Sequence, residues 1–190
     1  MNDINSQIST TLKSLRQARG WSLDKAAQET GVSKAMLGQI ERGESSPTIA
    51  TLWKIASGFQ TSFSSFIEPS RAYSKTPIYR SGKTRELHPQ DEKIRVMPLF
   101  PFDKHLHFEV YIIELLPQCE HISPPHEPGT IEHVIVVSGK IEVLVDNTWH
   151  TLNKGEGLRF EANLKHGYAN RSAKTACIHD IIHYPNQSKS

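Results

Sequence analysis

Ten histidines and two cysteines are the side chains of this 190-residue protein whose types invite chemistry, and their placement is uneven. Every histidine lies between His88 and His183, and none falls in the first 87 residues, so the two halves of the chain do different chemistry. Cys119 and Cys177 stand far apart without a C-x-x-C pair, which argues against a disulfide framework or a cysteine zinc site and leaves two reduced thiols. Charge says little: the formal net charge is +2, and residues 1–68 hold seven Lys/Arg against six Asp/Glu. Any case for nucleic-acid binding rests on placement. One such placement is Ala27-x3-Gly31-x5-Leu37-x2-Ile40, a small contact residue, a turn glycine and two apolar positions. A steep crossing of two helices joined by a short turn needs small residues at the contact, which Ala26 and Ala27 supply. The apolar pair then seats the following helix, and a helix so supported can project into a major groove.

The elements that must position these residues divide the chain into two domains, a division that suits its length. The first third shows helical periodicity in short pieces. Ile8, Leu12 and Leu15 form one apolar stripe that ends at Gly20. Ser22 caps a second helix through Thr30, with Asp24 in its first turn and Gly31 at its end. Ser33 caps a third, with Val32 and Leu37 as a hydrophobic staple and Leu37 and Ile40 inward. A fourth is expected to start at Ser46 with Pro47 in its first turn and Ile49, Leu52, Trp53 and Ala56 inside, and a short fifth spans 63–67. Residues 69–77 read as a polar, proline-flanked linker. Beyond it β-rich runs at 94–99, 108–116, 133–137, 141–145, 157–160 and 176–184 alternate with turns such as Asp146-Asn147. The expected fold is α+β multidomain: helices over 1–68, an antiparallel β-barrel or sandwich over 78–185 and a polar tail over 186–190. No apolar run reaches the length of a membrane span, and the polar residues 1–12 lack the form of a secretory signal, which predicts a soluble cytoplasmic protein.

The segment LRQARGWSLDKAAQETGVSKAMLGQIERGESSPTIATLWKIASGF resembles the DNA-binding domain of the XRE family of regulators, a five-helix lambda-repressor-like helix-turn-helix. That resemblance implies that Ser33, Lys34, Ala35, Gly38 and Gln39 face base edges. Gln39 has the groups to pair with adenine and Lys34 with guanine acceptors, while Ala35 can meet a thymine methyl. Arg16, Arg19, Arg42, Ser45, Ser46 and Thr48 are the expected phosphate contacts, through side chains or the N-terminal amides of the fourth helix. Arg16 or Arg19 has an alternative partner in Glu41, which reads as structural. A protein-interaction bundle with Lys34 and Gln39 on a solvated face is the competing use of these helices.

The segments SPPHEPGTIEHVIVVSGKIEVLV and GEGLRFEANLKHGYANRS together resemble the two motifs of the cupin, or jelly-roll, barrel. Glu132-x6-Gly139 and His166-x3-Asn170 fit, and His126 takes the first histidine position. Pro128 stands where a second histidine belongs, and Glu161 and Asn163 replace the proline and glycine of the second motif. The resemblance implies a metal set of His126, Glu132 and His166, with Glu127 as a substitute for the missing histidine. Two nitrogens and one oxygen suit zinc, or another divalent metal, with a fourth position open. The alternative is a metal-free pocket in which His126, Glu132 and His166 hydrogen-bond an effector. Strand alternation turns His133 away from Glu132, and His179 or His183 enters the pocket, with His179 the pocket candidate.

The layout resembles the XRE-cupin regulators, nearest to the group linked to sulfur utilisation. It implies a transcriptional regulator that binds double-stranded DNA at a near-palindromic operator as a homodimer and senses a small-molecule effector, a sulfur-containing amino acid being one class. The expectation is no catalysis and no membrane partner. A cupin dioxygenase or isomerase with an appended DNA-binding domain is the competing class, weakened by the missing histidine. An antitoxin-like repressor leaves the barrel unexplained.

Overall fold

Serine, threonine and glycine punctuation sets the helices of the first unit. The structure, a computed structural model, describes residues 4–67, 93–103 and 105–185. Two units are distinct, Met1–Ile78 and Tyr79–Ser190; the expected linker and the polar tail lie outside the described residues. Helix α1 spans Ile4–Ala18 and buries Ile8 and Leu12, with Leu15 half-buried. Helix α2, Leu23–Thr30, starts where the Ser22 side chain accepts the Lys25 N–H and stops at Gly31, whose φ of 64° is the left-handed conformation glycine takes most easily. Helix α3, Lys34–Glu41, starts where Ser33 accepts the Met36 N–H, and the staple residues Val32 and Leu37 are both buried.

Helix α4, Ile49–Gly58, corrects one expectation. Its cap is Thr48, extended at φ −68° and ψ 163°, with its hydroxyl accepting the Thr51 N–H at 3.1 Å. Ser46 and Pro47 therefore precede the helix: the side chain able to reach a first-turn amide sits two residues later than expected. Helix α5 is the single turn Ser64–Ile67. The core of this unit joins Ile8, Leu12, Leu37, Ile40, Leu52, Ile55, Phe59 and Phe66, and Trp53 stacks on Phe63 with ring centroids 4.4 Å apart. Gly58 is the closest backbone approach, since a Cβ there would stand 2.6 Å from the Glu29 carbonyl oxygen and the Thr30 Cα.

The second unit is two antiparallel sheets. The larger has the order β1-β2-β9-β4-β7 and the smaller β3-β8-β5-β6. In chain order the strands are β1 Ile94–Asp103, β2 Phe108–Leu115, β3 Cys119–Ser123, β4 Ile131–Ser138, β5 Lys140–Val145, β6 Thr148–Asn153, β7 Gly157–Glu161, β8 His166–Asn170 and β9 Ala176–His183. Contacts of β2 with β8 and of β4 with β6 close one sheet over the other, as in the expected jelly roll. Asp146 and Asn147, at φ 44° and 65°, turn β5 into β6. Strand β1 runs four residues past its expected end because it is a sheet edge, where Pro98 and Pro101 are tolerated and register shifts take up the irregularity. Strands β3, β6 and β8 were absent from the sequence expectation. Their sequences CEHIS, TWHTLN and HGYAN are too polar to read as β-rich runs, and β8 is buried along its whole length.

Candidate functional sites

Helix α3 presents one outward face because Leu37 and Ile40, both without exposure, seat it on the bundle. Ser33, Lys34, Ala35, Met36 and Gln39 are exposed. Gly38, expected outward, is buried: a Cβ there would stand 3.2 Å from an Arg42 guanidinium nitrogen and 3.7 Å from Leu23, so this glycine is a small contact against α2, not a base-facing position. Met36 is a further outward residue, and its place one residue after Ala35 on the helix is the sequence signal for it. Lys34 Nζ lies 2.8 Å from Asp24 Oδ2, an exposed pair, and Arg42 forms a two-point pair with Glu44 at 2.8 and 2.7 Å.

Two expected phosphate contacts have other partners. Arg16 binds Glu41 through Nε at 2.6 Å and Nη2 at 2.8 Å while Nη1 donates to the Trp21 carbonyl. With Arg16 17% and Glu41 9% exposed, the guanidinium fork is used inside the unit, which is the alternative weighed for it. Arg19 donates to the Phe59 carbonyl and lies over the Trp21 and Phe59 rings, and burial lowers its pKa from the ordinary arginine value. Ser46 and Thr48 are exposed and Ser45 half-buried, beside the first turn of α4.

In the barrel, His126, Glu132 and His166 offer ligand atoms that all lie within 4.8 Å of one another. All three are buried. His126 precedes β4, Glu132 faces inward from β4, and His166 opens β8. His126 Nε2 is 2.8 Å from Glu132 Oε1 and His166 Nε2 is 3.5 Å from the same oxygen. His166 Nδ1 is 2.8 Å from the Leu164 carbonyl. A carbonyl only accepts, so Nδ1 carries the proton and Nε2 keeps its lone pair. That nitrogen is buried without a hydrogen-bond partner, the arrangement a metal ligand needs. Glu127 is half-buried and outside the converging set.

Three further residues surround this set. Tyr168 donates to Glu132 Oε2 at 2.5 Å; it follows His166 by two residues, so strand alternation was the signal that could have found it. Asp180 is buried on the inner face of β9. This corrects His179: Ala176, Ile178, Asp180 and Ile182 are the buried set, and His179 and His183 share the outer face. His133 also points out, its ring 5.3 Å from that of His183. His121, buried on β3, completes the group. Asn170 is structural, its amide donating to the Leu115 and Lys174 carbonyls at 2.8 Å.

Burial works against charge here, and hydrogen bonds decide which group keeps it. It would raise the Glu132 carboxyl, but His166, the hydrogen bond and charge of His126, and the Tyr168 hydroxyl hold it down at about 2. Burial lowers His166 despite the pull of Glu132. It also lowers His121 to about 4, with His166 adding to the effect. Asp180 is raised well above the carboxylate range, by burial first and then by Glu132 and Glu109. The interior therefore favours an ionised Glu132, with burial favouring the neutral imidazole at His166 and His121.

Comparison with known proteins places both halves. Residues 12–66 match the helix-turn-helix family and residues 111–182 the cupin domain family. The chain is 50% identical over 186 residues to the HTH-type transcriptional regulator SutR of Escherichia coli (strain K12), covering 97% of this chain and 99% of that protein. It is similar to the crystal structure of an HTH_3 family transcriptional regulator from Vibrio cholerae, with 43% identity, a TM-score of 0.81, and coverage of 96% of this chain and 98% of that one. A crystal structure of Fe(II) HppE, 15% identical with a TM-score of 0.50 over 95% of this chain and all of that one, is a likeness of fold alone.

Proposed function

The chain belongs to the XRE-family helix-turn-helix transcriptional regulators that carry a C-terminal cupin domain, and from that premise we propose that it reads DNA with α3 and senses a small metabolite in the barrel. The observation that carries this is the division of labour on α3. Leu37 and Ile40 are consumed by the core while Ser33, Lys34, Ala35 and Gln39 are exposed, Ser33 also capping the helix and Lys34 reaching only the exposed Asp24. Lys34 and Gln39 then read base edges, and Ser45, Ser46, Thr48 and the first amides of α4 hold phosphates. Arg42 joins them by exchanging Glu44 for a phosphate, an exchange an exposed pair permits at little cost.

In the barrel, His126, Glu132 and His166 fit a divalent ion, zinc first, because His166 aims a buried lone pair at the ionised Glu132. A bound ion would supply an electrophilic position that a ligand's carboxylate or amine can complete. Tyr168 holds the second oxygen of Glu132, so only Oε1 turns toward the imidazoles. The effector class suggested by the family resemblance is a sulfur-containing amino acid or a related metabolite. The protein acts as a cytoplasmic homodimer on a near-palindromic operator, and effector binding changes the placement of its two DNA-reading heads. We assign it a sensing role: Pro128 takes the place of the second histidine and leaves two nitrogens and one oxygen. That set suits zinc and is also the one non-haem iron oxygenases use, so an oxygen-consumption assay decides between sensor and enzyme.

The test is operator selection. Lys34→Ala and Gln39→Ala should relax base preference, each by about 1–3 kcal/mol at its own position, while folding and metal content stay as in the wild type. Unchanged selectivity in both variants would refute α3 as the reader. Oxygen-consumption assays on the metal-loaded protein check the other half, and sustained turnover would replace the sensor by an enzyme.

A further inference from the structure

Among the described residues, the helical unit leaves one large apolar side chain exposed: Met36, at 37%. It lies on α3, between Ala35 and the core residue Leu37, and its sulfur is 4.0 Å from the Ser45 hydroxyl. The other large apolar residues described in this unit are buried or half-buried, Leu15, Trp21 and Leu23 being among the half-buried ones. An exposed methionine forgoes burial that the fold obtains elsewhere, and its thioether is too weak an acceptor to earn a solvent position by hydrogen bonding. Its flexibility and polarisable sulfur suit it to an apolar surface met only on binding.

The surface that α3 would meet is the floor of a major groove. Base edges there present donors, acceptors and one apolar group, the C5 methyl of thymine. Ala35 is exposed next to Met36, whereas Gly38 is buried and brings no side chain. The apolar part of this face is therefore Ala35 and Met36 together, and Met36 has the greater reach. We propose that Met36 is a specificity-determining residue that packs against a thymine methyl in the operator. This rests on α3 being the groove-entering helix, and it adds an apolar contact to the hydrogen bonds proposed for Lys34 and Gln39. A methionine selects for the methyl itself, so it separates thymine from every base lacking one, including uracil.

The experiment uses the full chain and a duplex it selects from randomised DNA, with each thymine replaced in turn by deoxyuridine, which removes only the methyl. Wild-type protein should lose about fourfold in affinity at the contacted thymine, the worth of one buried methyl. Met36→Ala should bind the thymine and uracil duplexes equally, with affinity near that of wild type on uracil. Met36→Leu should keep the difference. Equal methyl sensitivity in wild type and Met36→Ala, or no sensitive thymine at all, would overturn the assignment. Failure of the underlying reading looks different: wild-type protein would then select no sequence, or Lys34→Ala and Gln39→Ala would leave its selectivity intact. Met36 is exposed, so thermal unfolding of both variants should match wild type and shows that the fold is preserved.

Discussion

The two units put their chemistry on opposite sides of their cores. In the helical unit the buried residues are apolar apart from Thr30, Ser62 and Ser64, and the groups fit to meet DNA are outside. In the barrel the buried set includes Glu109, His121, His126, Glu132, His166 and Asp180 among its apolar residues, so the candidate site is built into the core. The difference has an energetic consequence. If α3 reads DNA as proposed, changes on its outer face should alter recognition with little effect on folding, whereas removing a polar group inside the barrel should leave a buried partner unsatisfied.

Glu132→Ala should give the largest effect. It removes the only carboxylate of the converging set together with the acceptor used by His126 and Tyr168. Zinc affinity should fall more than about a hundredfold, beyond the ten- to hundredfold loss typical of a supporting residue. DNA affinity of the effector-free protein should stay put. A competition titration against a chelator measures the first and a binding isotherm the second; zinc held as in the wild type would remove Glu132 from the site.

His121 tests the barrel's buried polarity through pH. Its folded pKa of about 4 lies below the ordinary value of 6.5, so the folded state binds fewer protons than the unfolded one between those values. The stabilisation is therefore full above pH 6.5 and lost as pH falls toward 4, by roughly 3 kcal/mol at 1.36 kcal/mol per unit. In chelator-treated protein, His121→Phe should flatten this acid limb in the barrel's unfolding transition. The helical unit, without a histidine, should show no matching limb in either protein. An unaltered slope in His121→Phe would show that this imidazole is not the group responsible.

A third effect should be confined to the helices. A side chain on Gly58 would meet the backbone of Glu29 and Thr30 at 2.6 Å, and backbone cannot swing aside as a flexible side chain can. Gly58→Val should cost about 1–3 kcal/mol or more by overpacking, lower the helical unit's unfolding transition and leave zinc affinity unchanged. Loss of zinc binding in this variant would break the separation of the two units.

How far each unit was legible in the sequence follows from the same contrast. Helix caps are local: Ser22 and Ser33 each accept an N–H three residues on and the Gly31 N–H donates to a carbonyl four residues back, so α2 and α3 could be read from neighbours alone. The start of α4 failed because Ser46 and Thr48 are both competent caps, and backbone conformation, not residue type, selects Thr48. On strands the alternation is visible but its phase is not. HDIIH on β9 offered either histidines or Asp180 to the interior, and the pairing of Asp180 beside Tyr111 and Val134 decided for the acid. The strand β8 was illegible for another reason: buried on both faces, HGYAN has no polar side to alternate with. Its His166 was found by motif, and its Tyr168 needed the fold.

The smallest expected effect separates two ion pairs of the helical unit that look alike in the sequence. Arg16–Glu41 is nearly enclosed, while Lys34 and Asp24 are 59% and 70% exposed. An exposed pair contributes at most about 1 kcal/mol and is screened by salt. Asp24 nevertheless sits at the first turn of α2, where it holds the ammonium group proposed to reach a base edge and adds a negative charge beside the face proposed to meet DNA. Asp24→Asn should therefore change stability by less than about 1 kcal/mol while raising operator affinity a few-fold, with the gain shrinking as salt increases. Glu41→Gln should do the reverse, costing stability and freeing no contact for DNA, because Arg16 remains tied to the Trp21 carbonyl inside the unit. If Asp24→Asn weakened operator binding instead, the pair would be serving to pre-set Lys34 for the groove, and the exposed face of α3 would be more organised than its exposure implies.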